Sequence, residues 1–155
     1  MPGTISFNLA GGPGVRITVS ELDDGKLQVT AAINSSTLIG DLRGLFFHVT
    51  DPSLLGGLSV TGATSPIGTV QQSSNAVSNL GGGVSIAGAA LPMDMGIAFG
   101  TSSASGADDI RTVTFTLQHA SADLSLAFLQ QVQFGALLTS VGTATGPRIL
   151  TIKAF

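Results

Sequence analysis

Hydrophobic and polar residues alternate along much of this chain, the pattern of a strand with one buried face. Val15, Ile17 and Val19 alternate with Arg16, Thr18 and Ser20. Leu27, Val29, Ala31 and Ile33 resume the alternation beyond Asp23-Asp24-Gly25. An Asp-Gly between two such runs predicts a β-hairpin, because both residues tolerate the positive φ of a tight turn. Asp23 and Asp24 are therefore read as turn residues. The clearest strand is Arg111 to Leu117, with Val113, Phe115 and Leu117 on one side and Thr112, Thr114 and Thr116 on the other.

Shorter runs predict further strands at Ile5–Leu9, Leu45–Val49, Leu58–Thr61, Val84–Ala87, Met95–Phe99, Phe134–Val141 and Ile149–Ala154. Gly11-Gly12-Pro13-Gly14 and Gly81-Gly82-Gly83 punctuate them as turns. Only Asp123 to Leu129 has room for a helical turn, with Asp123 near its N-terminus. Many short strands with Gly-rich turns predict an all-β fold: an antiparallel β-sandwich or jelly roll of about ten short strands, with at most one short helix. The length of 155 residues is that of one domain, residues 1–155.

Composition narrows the function classes. Charged residues are 10% of the chain, against about 25% in an average soluble domain. With 43% hydrophobic residues and a mean hydropathy of +0.47, disorder is excluded. No apolar run approaches the roughly 18 residues of a membrane-spanning helix. The net charge is −3 and the six basic residues are scattered, which leaves no basic patch for nucleic acid. Without cysteine there is no disulfide, thiolate metal site or thiol nucleophile. Trp and Tyr are also absent, which disfavours a glycan site built on stacked rings. A surface with so little charge has little self-repulsion, and the chain is expected to self-associate.

The candidate acids and bases are His48, His119, Glu21 and eight aspartates. His48 falls in an apolar strand and His119 at a strand end, and both read as structural. No Gly-x-Ser-x-Gly elbow or His-x-x-x-His spacing is present. The Gly-rich turns lack the Lys-Ser/Thr and following helix of a phosphate loop. Catalysis needs paired titratable groups in a cleft, so the expectation is a non-enzyme. The enzymatic alternative requires His48 or His119 to lie in a cleft beside an aspartate.

Asp108 and Asp109 close a Ser/Gly-rich loop that runs from Gly100 to Ile110. Adjacent carboxylates repel, and a hard cation with oxygen ligands is one relief. Asp41 and Asp94 stand isolated in apolar surroundings. Together Asp41, Asp94, Asp108 and Asp109 are candidate ligands for Ca2+. The alternative is that Asp41 pairs with Arg43 or Arg111 and that Asp108 or Asp109 caps the turn. No EF-hand loop is present.

The stretch Gly40-Asp41-Leu42-Arg43-Gly44-Leu45-Phe46-Phe47-His48-Val49 resembles part of an uncharacterised domain of secreted bacterial proteins of the hemolysin-type calcium-binding (RTX) group. Asp94 to Thr101, Asp108-Asp109-Ile110, Phe115-Thr116-Leu117, Phe134-Gly135 and Thr139-Ser140-Val141-Gly142 are similar to motifs that follow in the same order, with Arg148 and Lys153 near a basic tail. The resemblance covers roughly residues 15 to 153. It implies an extracellular β-sandwich, exported by type I secretion without a cleaved leader and linked to calcium. Two positions depart from the pattern: Ala98 stands where an acid is expected and Leu137 where a base is expected. The Gly-Gly-x-Gly-x-Asp repeats of RTX calcium rolls are absent, so that mode of calcium binding does not carry over.

The N-terminal Met1 to Phe7 has no basic start and no apolar core, so no secretory signal peptide is read there. The leading expectation is a non-enzymatic structural protein, extracellular or at the cell surface, with a cytoplasmic setting as the alternative. It associates as a surface layer, fibre or closed oligomer through sheet edges and Thr/Ser/Ala faces. The terminal strands Ile5–Leu9 and Ile149–Ala154 are the expected donors, unless both pair within their own sandwich. The alternative is a monomeric calcium-dependent adhesion or ligand-binding module. A viral shell protein fits the same fold.

Overall fold

Ten strands form two five-stranded sheets in a computed structural model of the chain, which describes residues 3–11, 13–34, 38–81, 83–87, 92–100, 110–143 and 148–155. In chain order they are β1 (Thr4–Leu9), β2 (Val15–Glu21), β3 (Leu27–Ile33), β4 (Leu38–Phe47), β5 (Leu58–Thr61), β6 (Ile67–Val77), β7 (Met93–Phe99), β8 (Thr112–His119), β9 (Phe134–Thr143) and β10 (Arg148–Ala154). The first sheet has the order β1-β2-β3-β8-β5, and the second β10-β9-β4-β7-β6. Every pairing is antiparallel. This is the expected all-β sandwich.

The alternating residues explain the first sheet. Val15, Ile17, Val19, Leu27, Val29, Ala31, Val113, Phe115 and Leu117 are buried, and they share one core with Leu42, Leu45, Phe47, Met95, Ile97, Phe99, Phe134, Ala136 and Leu138 of the second sheet. Removing this apolar surface from water is the main drive for the two sheets to stack. Rings meet across the gap: Phe7 and Phe134 have centroids 5.0 Å apart, and Phe99 and Phe115 6.1 Å, within the range of favourable tilted pairs. The predicted hairpin forms, with Glu21 opposite Leu27 and Gly25 at φ +79° in its turn.

The second sheet is covered on its outer face as well. The described residues between Val77 and Ala87 fold back as a small arm, in which the Leu80 amide donates to the Val84 carbonyl at 2.8 Å and the Ile86 amide to the Ser78 carbonyl at 2.8 Å. Its Val77, Leu80, Val84 and Ile86 bury Phe46, Met93 and Leu137. Consecutive Leu45, Phe46 and Phe47 are therefore all buried, as expected of a strand packed on both faces. Glycine makes the room. Phe46 lies in register between Gly96 and Gly135, and a Cβ on Gly96 would stand only 2.9 Å from both the Phe46 ring and a Val77 methyl.

β1 and β10 are joined just past their ends. Ala10 and Phe155 exchange backbone hydrogen bonds of 3.0 Å in both directions, so β1 and β10 flank the same side of the sandwich. Both terminal strands pair within the domain along one side, β1 with β2 and β10 with β9.

Several elements differ from expectation. The polar β6 was not predicted at all, and Val84–Ala87 belongs to the arm rather than to either sheet. The helical turn is a 3-10 turn at Leu126–Phe128 with Ser125, not Asp123, at its cap. A second 3-10 turn, Pro52–Gly57, begins at Asp51, whose carboxylate accepts the Ser53 amide at 3.2 Å. Among the described residues no helix is long and apolar enough to cross a membrane.

Candidate functional site

Asp94 lies at the start of β7 and is buried. Its Oδ2 accepts the Val49 amide at 2.9 Å and its Oδ1 the Asn75 amide at 2.8 Å. His48 Nδ1 stands 3.4 Å from Oδ2. Burial pushes the Asp94 carboxyl up, but the two amides and His48 outweigh it and hold the group below the ordinary carboxylate range. The need for a carboxylate here is local. Asn75 sits at φ +53°, where β6 slips register against β7 between Gln72 and Val77, and its amide finds its partner in Asp94 instead of the ladder.

Asp41 is also buried, on β4. Its Oδ1 accepts the amide of Ile110 at 2.9 Å, which brings it to the residue that follows Asp108-Asp109. Those two aspartates lie outside the described residues. Arg43, buried two positions on, donates from Nε to the Phe99 carbonyl at 2.8 Å.

The structure thus separates two of the four proposed calcium ligands, Asp41 and Asp94. Asp94 belongs beside His48, just past one end of β4, and Asp41 lies towards the other end. At about 3.3 Å per residue the two positions are on the order of 20 Å apart. The expectation of one site holding all four aspartates is corrected: strand register puts Asp94 elsewhere. Among the described residues no group of three or more His, Asp or Glu side chains is placed to hold a metal ion.

The two histidines differ in role. His119 Nδ1 accepts the amides of Ser121 and Ala122, both at 3.0 Å, and its ring packs where a Cβ on Gly57 would be. That makes it a structural cap. His48 does stand beside an aspartate, as the enzymatic alternative required. Both oxygens of that aspartate are already engaged by backbone amides, and among the described residues no serine or threonine hydrogen-bonds the His48 ring. The arrangement ties β4, β6 and β7 together. The sequence clue to this role is the lone acid in Met93-Asp94-Met95, which the sequence alone assigns to a metal instead.

The remaining candidate surface is the set of sheet edges: β1 and β5 in the first sheet, β10 and β6 in the second. Their protection is unequal. β10 has two register shifts and carries Lys153. β6 has two shifts, and its Gln72 side chain is drawn onto the Leu55 and Leu58 carbonyls. β5 has only four residues. β1 pairs with β2 over all six of its residues without a shift, and it carries no charge. Among the described residues the only exposed large hydrophobic is Val70.

No family model matches the chain, and no curated protein or solved structure does either.

Proposed function

We propose that this domain is a non-enzymatic structural building block that associates with copies of itself through its sheet edges. The observation that carries the reading is the state of those edges: open strands with almost no charge, on a chain of only 10% charged residues. Open edges present unpaired amides and carbonyls, and proteins usually blunt them with charge. The near absence of exposed large hydrophobics among the described residues argues for backbone pairing over a greasy interface. An extracellular or cell-surface setting, and a layer, fibre or closed oligomer as the product, belong to the same proposal and draw on the resemblance to secreted RTX-group domains.

Solution mass by light scattering with refractive-index detection, across protein concentration, tests it. A mass well above 15.5 kDa, with calcium and with chelator alike, is expected. A monomer throughout would overturn it.

A second reading, a calcium-stabilised module, is favoured by one contact: Asp41 reaches the amide of Ile110, next to Asp108-Asp109. Its ligands are Asp41, Asp108 and Asp109, without Asp94. It predicts a calcium-dependent rise in Tm that Asp108→Ala abolishes. A Tm unmoved by calcium and chelator would rule it out.

A further inference from the structure

The four edges are not equivalent, and their differences single out one of them. A strand that can be extended by another chain must be long enough to pair, in regular register and free of charge. β10, β6 and β5 each fail at least one of these conditions, through register shifts, a lysine or shortness. β1 meets them all. Thr4, Ser6 and Asn8 are exposed on its outer face, while Ile5 and Phe7 point to the core and are only partly covered. The carboxylate of Glu21, at the end of the neighbouring β2, is engaged by the amides of Gly3 at 3.1 Å and Leu126 at 3.3 Å.

We infer that β1 is the assembly edge and that its partner is the β1 strand of a second copy, paired antiparallel about a two-fold axis. The inference rests on the proposed self-association and assigns it a place. One observation and two consequences of it favour a second copy as the occupant. β1 carries no charge, so two copies meet without repulsion. A two-fold axis normal to the sheet keeps Thr4, Ser6 and Asn8 of both copies on one face and Ile5, Phe7 and Leu9 on the other. The joined strands then cover the half-open Ile5 and Phe7 and continue the outer hydroxyl pairs Thr4–Ser20 and Ser6–Thr18, each 3.1 Å. The result is one ten-stranded sheet across the dimer, an isologous interface.

Ser6→Lys puts a charge on this edge, next to its own copy across the axis. Thr69→Lys places the same charge on β6. The full chain and both variants are compared by sedimentation across concentration, with circular dichroism melts to verify folding. A nitroxide is attached through Ser6→Cys or Thr69→Cys, since the chain has no other cysteine. The expected result is at least tenfold weaker association for Ser6→Lys, none lost for Thr69→Lys, and spin–spin broadening at position 6 alone. If the wild-type chain associates but Ser6→Lys associates equally well and the label at position 6 is unbroadened, the β1 assignment is overturned while self-association stands. A wild-type chain that stays monomeric overturns both.

Discussion

The two sheets are built from the same number of strands and obey different rules. In the first, every ladder runs in unbroken register. In the second, three of the four ladders contain shifts, and only β4 against β7 is regular. The first sheet has one wet face, so strict alternation serves it. The second is packed on both faces and must fit side chains into limited volume on each side, which bulges make possible. The buried charged residues follow the irregularities. Asp41, Arg43 and Asp94 are all in the second sheet. Asp94 takes up the Asn75 amide freed by the β6 shift. Asp41 and Arg43 fall at the two shifts between β4 and β9, and they bond the Ile110 amide and the Phe99 carbonyl. Buried charge here completes an irregular backbone.

Four substitutions would break or sharpen this contrast. Phe46→Ala empties the outer layer of the second sheet and is expected to cost about 3–5 kcal/mol in denaturant unfolding. A loss near zero would mean that the arm is not part of the fold. Asp94→Asn leaves one of two amide donors facing an NH2 group, with an expected cost of about 1.5–3 kcal/mol at neutral pH. The pH dependence has a definite sign. Because the folded-state Asp94 titrates below its unfolded value, its stabilisation is complete above the unfolded value, about pH 4, and is lost as pH falls through the folded one. Asp94→Asn should therefore flatten the acid limb of the stability curve, and an unchanged limb would count against the assignment.

Gly96→Ala forces Phe46 and Val77 to give way, for an expected loss of about 1–3 kcal/mol. Thr30→Ala removes a hydroxyl pair with Thr114, 3.0 Å apart on the outer face of the first sheet, and should cost no more than about 1 kcal/mol. If Thr30→Ala proved costlier than Gly96→Ala in thermal melts, the proposed difference between the sheets would be wrong.

The same contrast decides what could be read from the sequence. Alternation announced β2, β3 and β8 because each has one dry and one wet face. β6 was invisible: Thr69, Val70, Gln71, Ser73, Ser74, Asn75 and Ala76 are all exposed, so no period separates its faces. The arm was mistaken for a sheet strand because Val84 and Ile86 alternate correctly but pack onto the outside of a sheet. Asp41 and Asp94 were rightly marked as unusual, since a lone acid among apolar residues must find partners. Those partners are backbone amides revealed only by the bulges, and no side-chain pattern encodes a register shift.

The meeting of Ala10 with Phe155 also bears on how the chain acquires its structure during synthesis. The β1–β3 meander is local and can form early, yet β3 waits for β8, with Ala31 pairing Val113. Likewise β4 waits for β9, and the clasp on Ala10 closes only when the residue at position 155 arrives. Such high contact order slows folding, and a growing chain holds unpaired apolar strands in the interval. A protein with so few charges to keep such intermediates apart gains from a dilute or chaperoned environment until β10 is in place.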